Sequence, residues 1–131
     1  MRLYMDTSAL VKLVVAGDES PSLRSFLRER AEDNLFSAAL ARTELLRAVA
    51  ANGTQAIADA RKLLSGLDTV VLTRQLLDDA GTLQPMRLRS LDAIHLVAAQ
   101  RAGDTLRAVV TYDARMLSAA ADLEIATASP R

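Results

Sequence analysis

The chain contains no cysteine, which excludes disulfide frameworks, thiolate nucleophiles and cysteine-based zinc or iron–sulfur sites. The same absence is compatible with a reducing cytoplasm, the expected location. Net charge is missing too: sixteen basic residues balance sixteen acidic ones. A polyanion binder of the strongly basic kind is thereby excluded, and any contact with nucleic acid must be local. Aromatic residues are scarce, with only Tyr4, Phe26, Phe36 and Tyr112 present, so base stacking is not expected to drive recognition by itself. No apolar run is long enough to span a bilayer. The opening apolar stretch is broken by Asp6 and Lys12 and lacks a basic leader before a cleavage site, so neither a signal peptide nor a membrane partner is expected.

What is present suits one globular domain over residues 1–131, with 50% hydrophobic and 24% charged residues. A chain of this size buries roughly two-thirds of its unfolded surface without staples. Fourteen of the sixteen cations are arginine, whose planar fork suits bidentate phosphate contacts. A G+C-rich genome would produce the same bias.

The residues that frame the chain are the first eight. Leu3 to Met5 reads as a strand that stops at Asp6-Thr7-Ser8, and the helical pattern of Ser8 to Ala16 follows, with Gly17 at the C-cap. Asp6 thus falls at a strand's carboxyl end, where open parallel sheets bind ligands. Ser20 is a candidate N-cap with Pro21 in the first helical position, ahead of a helix carrying Leu23, Phe26, Leu27 and Ala31. Leu35 to Ala38 reads as the second strand, Leu40 to Ala51 as a helix ended by Asn52-Gly53, and Gln55 to Leu64 as another closed by Gly66. Val70-Val71-Leu72 is the expected third strand, followed by a helix capped by Thr73. Gly81 to Arg89 is the least regular stretch. Ser90 then caps an almost wholly apolar helix from Leu91 to Ala102, the mark of a central element. Ala108 to Thr111 is the fourth strand, Ala114 to Ala121 a helix, and Glu124-Ile125-Ala126 a short last strand. Alternating strands and helices predict a three-layer α/β sandwich around a mainly parallel sheet.

Four acids stand out. Asp6 ends the first strand, and Asp113 follows the fourth by two residues, so both should lie at one edge of the sheet. Asp92 is the only acid in the first turn of the central helix, and Glu44 borders the apolar stripe of Ala41, Leu45, Ala48 and Val49. Each has an ordinary explanation: Asp6 and Asp113 as helix caps, Asp92 as complement to a helix dipole, Glu44 as partner of Arg47. Brought to one crevice, however, four carboxylates repel each other unless a cation neutralises them. Oxygen-only ligands select a hard ion such as Mg2+ or Mn2+, which stabilises the charge that builds on a phosphodiester during in-line attack.

In these places the sequence resembles the PIN-domain ribonucleases, and most closely the VapC toxins of bacterial toxin–antitoxin pairs. Met5-Asp6-Thr7-Ser8-Ala9-Leu10 is similar to the family's opening motif, and Arg42-Thr43-Glu44-Leu45-Leu46-Arg47-Ala48 to its glutamate helix. Leu91-Asp92-Ala93-Ile94-His95-Leu96-Val97-Ala98-Ala99 resembles the second aspartate motif, and Thr111-Tyr112-Asp113-Ala114-Arg115-Met116-Leu117 the last. The resemblance implies a parallel five-stranded sheet in order 3-2-1-4-5 and a divalent-metal endoribonuclease. It also implies a homodimer, and an antitoxin protein that wraps the enzyme and blocks its crevice. By the same resemblance Asp6, Asp92 and Asp113 would hold metal directly, and Glu44 would hold it or orient the attacking water. Ser8 and Thr111 would position ligands or a phosphate. Some members carry a further aspartate just after the last motif acid; Ala114 and Arg115 stand there in this chain.

Arg87, Arg89 and Arg115 flank the motif acids and are candidates to grip RNA phosphates, with solvated surface charge as the alternative. His95, the only histidine, lies three residues after Asp92 and reads as a packed, hydrogen-bonded member of its apolar helix rather than a metal ligand or general base. Two other readings compete with this one. Aspartyl-phosphate chemistry also places an acid after strand one, but Ser8 stands where a phosphatase of that kind has its second aspartate, and no lysine follows Lys62 for a receiver domain. A non-catalytic PIN-like module that binds RNA or protein would be favoured by loss of a motif acid, and none is lost.

Overall fold

The computed structural model describes residues 1–131. Side-chain alternation along the strands builds its layers. β1 (Arg2–Met5) sends Leu3 and Met5 into one buried cluster and Tyr4 into another, because successive strand residues face opposite ways. The first cluster is covered by α1 (Thr7–Val14), α2 (Ser20–Glu29), α3 (Leu40–Val49) and α4 (Thr54–Ser65). The second is covered by α5 (Arg74–Gly81), α6 (Ser90–Gln100) and α7 (Ala114–Asp122). Between them lies a parallel sheet in which β1 is joined by β2 (Asn34–Ala38), β3 (Asp68–Val70), β4 (Leu106–Val110) and β5 (Thr127–Ala128). The strand order is β3-β2-β1-β4-β5, as expected from the resemblance.

β1 pairs with β2 on one side and β4 on the other. The chain moves outward from β1 through β2 to β3, then returns past β1 to β4. The gap between the carboxyl ends of β1 and β4 is therefore the topological switch point, where helices on opposite faces diverge and leave a crevice.

Several local expectations are corrected. The third strand is Asp68–Val70, with Phe36 opposite Asp68 and Ala38 opposite Val70. As an edge strand it takes its register from β2, while Val71 stays 68% exposed beyond the ladder. The last strand begins at Thr127, not Glu124. Glu124 takes a left-handed backbone (φ 56°) that ends α7, and Ile125 donates its N–H to the Ala120 carbonyl at 2.8 Å while Glu124 donates to Ala121 at 3.1 Å. That is a Schellman closure, and it uses up the residues expected to extend. Ser20 does not cap from outside its helix: it is the first residue of α2, accepting from the Gly17 N–H and donating to the Lys12 carbonyl. Neither does Ser90, which opens α6 after Arg89. α1 ends at Val14, three residues before Gly17. Thr73 does cap α5, accepting from the Leu76 N–H at 3.1 Å.

Far from the crevice, at the amino ends of the strands, Asp33 gathers cations. Arg107 on β4 grips it through two guanidinium nitrogens, and the Met1 ammonium lies 3.3 Å away. The hydrogen bond from Arg107, above all, holds the Asp33 carboxyl below the usual carboxylate range.

Two outcomes are expected. Leu96, fully buried on α6, should cost about 2–5 kcal/mol when cut to alanine, read from urea denaturation. A depressed folded-state pKa contributes stability above the ordinary carboxylate range and loses it as pH falls through the folded value. Asp33→Asn should therefore lower the denaturation midpoint at pH 7, and the gap from wild type should close in acid. A gap that stays constant down to pH 2 would contradict this.

Candidate active site

Asp6 continues β1 by one residue, donating its N–H to the Val110 carbonyl at 3.0 Å. Its own carbonyl accepts from Ala9 and Leu10 and so starts α1. Because the backbone begins the helix, the side chain is released from capping, and no side-chain cap bond is made. The carboxylate is instead held by hydroxyls. Thr111 donates to Oδ2 at 2.7 Å and Ser8 donates to the same oxygen at 2.8 Å. Each hydroxyl accepts in turn from the loop after β4: Thr111 from the Asp113 N–H at 3.1 Å, Ser8 from the Tyr112 N–H at 2.9 Å. Two backbone amides thus orient two hydroxyl protons, and both protons converge on one oxygen of Asp6.

Glu44 projects from α3. Its Oε1 accepts from Thr7 at 2.8 Å and from His95 Nε2 at 2.6 Å. Partial burial works against ionisation, but the His95 hydrogen bond and charge and the Thr7 hydroxyl outweigh it, leaving the Glu44 carboxyl below its ordinary pKa. No pair with Arg47 forms. His95 is 2% exposed, and Nε2 also lies 3.9 Å from Asp6 Oδ1. Burial favours the neutral ring, yet the Glu44 hydrogen bond and the charges of Asp6, Glu44 and Asp92 prevail and raise its pKa above the ordinary value.

Asp113 does cap α7: its Oδ1 accepts from the Arg115 and Met116 amides at 2.9 and 3.4 Å. Asp92, in the first turn of α6, is the uncompensated member. Burial first, then the charges of Asp113 and Asp6, push its carboxyl above the usual range, against weaker opposition from His95 and Arg115.

A pattern unites the four acids. Asp6, Glu44 and Asp113 each have one oxygen tied by the protein and one left over, and Asp92 has both to spare. Since no buried side-chain oxygen or nitrogen lacks a partner, these spare oxygens are reached by solvent. The donor set is all oxygen and negatively charged, which fits a hard divalent cation by charge and chemistry. As the side chains stand, no three of them are close enough together to hold an ion. Beside Asp92 a cavity of about 180 Å³ opens, with Arg87, Arg89 and Arg115 on its walls and Leu88, Pro85 and Ala119 as apolar lining. Arg87 is also paired with Asp122 at 2.9 Å.

Of the positions expected from the sequence, Ser8 and Thr111 sit on Asp6, His95 lies between Asp6 and Glu44, Asp113 and Asp6 act on Asp92, and the three arginines line the cavity beside Asp92. Tyr4, Thr7 and the contact of His95 with Glu44 were missed. A tyrosine and a histidine inside otherwise apolar segments were the available signal, since buried polar groups require partners.

The profile of the PIN domain matches residues 3–122. The chain belongs to the PIN-domain family. Similar proteins include ribonuclease VapC46 of Mycobacterium tuberculosis, 45% identical over 128 residues covering 98% of this chain and 97% of the relative. Ribonuclease VapC47 of the same organism is 44% identical over 131 residues, covering 98% and 96%. Among solved structures, the fold is shared with Mycobacterium tuberculosis VapC20, described as a sarcin–ricin loop cleaving toxin, at a TM-score of 0.68 and 17% identity over 89% of this chain and 94% of that one. The stretch matched to the PIN domain contains every acid of the crevice.

In this PIN domain Asp92→Asn removes one repelling charge. A raised folded-state pKa means that stability is lost as pH rises through it. In chelator at neutral pH the variant should therefore unfold at a higher temperature than wild type, and the difference should vanish below the ordinary carboxylate range. A variant less stable than wild type in thermal melts would show that Asp92 is already compensated.

Proposed function

We propose that this protein is a metal-dependent endoribonuclease that serves as the toxin of a toxin–antitoxin pair. The observation that supports the reading is that four carboxylates from four separate parts of the chain lie about the switch point: Asp6 held by Ser8 and Thr111, Glu44 by Thr7 and His95, and Asp92 under the charges of Asp113 and Asp6. Its PIN domain and its similarity to proteins named ribonuclease VapC support it.

Asp6, Asp92 and Asp113 would hold Mg2+, with Mn2+ as a substitute. The ion supplies Lewis-acid stabilisation of the charge that builds on the phosphodiester during in-line attack. Ser8 and Thr111 hold Asp6 with one oxygen turned outward. Glu44, kept ionised, offers Oε2 as acceptor for a proton of the attacking water. Arg87, Arg89 and Arg115 bind RNA phosphates on either side of the scissile bond. The partners are RNA, a cognate antitoxin that covers the crevice, and a second copy of the chain in a homodimer. The cytoplasm is the site of action. The alternative of a non-catalytic binding module lacks the sign it requires, because no motif acid is lost.

The test is incubation of purified protein with total cellular RNA in Mg2+, in Mn2+ and in chelator, beside Asp92→Asn. Discrete cuts that need metal and fall at least about a hundredfold in the variant are expected. Equal cleavage in chelator, or in the variant, would overturn the reading.

A further inference from the structure

His95 is unused by the mechanism above, yet it lies nearly fully buried in α6, where its neighbours Ala93, Leu96, Val97, Ala98 and Ala99 are all apolar. An apolar residue would fill that place without the desolvation cost of an imidazole. Tyr4 is equally out of keeping in the centre of the sheet: it is fully buried, between Leu3 and Met5. What explains both is a hydrogen-bonded line that starts at the sheet backbone and ends on a carboxylate of the site. The Ala38 N–H, at the end of β2, donates to Tyr4 Oη at 3.2 Å. Tyr4 Oη lies 2.5 Å from His95 Nδ1, and His95 Nε2 lies 2.6 Å from Glu44 Oε1.

The direction of this line follows from its fixed ends. The ionised Glu44 carboxylate can only accept, so Nε2 carries a proton toward it; a backbone amide can only donate, so Tyr4 Oη accepts from Ala38 and gives its own proton to Nδ1 of the neutral ring. The neutral ring then carries its proton on Nε2, which donates to Glu44. Nε2 carries a proton in the cationic ring as well, so the bond to Glu44 does not depend on the ring's charge. Both nitrogens are committed, which leaves no lone pair for a metal or for general-base work. With Thr7 as the second donor at 2.8 Å, Oε1 of Glu44 is pinned from two sides and Oε2 is the oxygen left without a partner in the protein.

We propose that Tyr4 and His95 are positioning residues: Tyr4, donating to Nδ1, reinforces the Nε2-protonated ring, and His95 in turn fixes the Glu44 carboxylate so that Oε2 is presented to the reacting water. The proposal rests on the nuclease reading for the role of Glu44, but the Tyr4–His95–Glu44 line can be tested apart from it. Without Tyr4 the Nδ1 side of the ring loses its donor, and Glu44 alone is left to hold the tautomer and the ring's orientation.

The discriminating substitutions are His95→Gln, whose amide nitrogen reaches the place of Nε2, and His95→Asn, whose amide reaches only the place of Nδ1. Beside them stands Tyr4→Phe. Kinetics on RNA in Mn2+ should show kcat reduced roughly tenfold to a hundredfold in His95→Asn and Tyr4→Phe, with KM and the Mn2+ Kd within about threefold of wild type. His95→Gln should recover most of the rate. Loss of rate in Gln and Asn alike, in step with lower melting temperatures, would mean that His95 is only structural. Loss of Mn2+ binding in His95→Asn would make it a ligand, and unchanged rates in all variants would remove its role. Because the chain has one histidine, nitrogen NMR of tag-free protein, at a pH where the ring is neutral, reads this residue alone. The Nε2-protonated tautomer is expected in wild type, with that preference weakened in Tyr4→Phe; the Nδ1 tautomer in wild type would overturn the proposal whatever the activity. If wild type cleaves no RNA in any metal, the nuclease reading fails, while the tautomer measurement still decides the Tyr4–His95 line.

Discussion

Repulsion among carboxylates is the constraint around which this end of the molecule is built. Burying Asp92 and placing it near Asp113 and Asp6 costs free energy that His95 and Arg115 do not fully offset. The surrounding structure meets it in part with neutral donors. Hydroxyls of Ser8 and Thr111 quiet one oxygen of Asp6, amides of α7 quiet one of Asp113, and Thr7 with His95 quiets one of Glu44. None of these devices closes the crevice. Enough stabilisation is provided for the acids to coexist, and their outer oxygens stay open to whatever positive charge arrives.

The scaffold serves that arrangement by dividing its apolar surface in two. Helices α1 to α4 cover one face of the sheet and α5 to α7 the other. Glu44 comes from the first set and Asp92 from the second, while Asp6 and Asp113 come from the strand ends between them. The acids meet along the seam of two packed cores. Their spacing is set by how both cores grip the sheet, which ties core packing directly to the geometry of the site.

Much of this was legible from the residues. A carboxylate after a short apolar run marks a strand end, and the central strands β1, β2 and β4 are apolar because both faces are covered. Edges were harder. β3 and β5 take their registers from a single neighbour, so their own hydrophobic patterns misplace them by a few residues. The capping serines failed for a related reason: Ser20 found partners across a turn, where local rules cannot see them. His95 was correctly read as a hydrogen-bonded member of an apolar helix, but its partners lie 91 and 51 residues away in sequence, and only the fold brings them together.

The pairing of β4 with β1 has a consequence for timing. Thr111 and Asp6, joined at 2.7 Å, are separated by 105 positions in sequence, and the sheet between them closes only when β4 inserts beside β1, made well before it. A chain leaving the ribosome exposes Asp6 and Glu44 long before their partners exist. Contacts of such long range form late in folding. Whatever chemistry the crevice performs is withheld from a chain made only as far as Glu44, and it waits on β4 and the loop that carries Asp113.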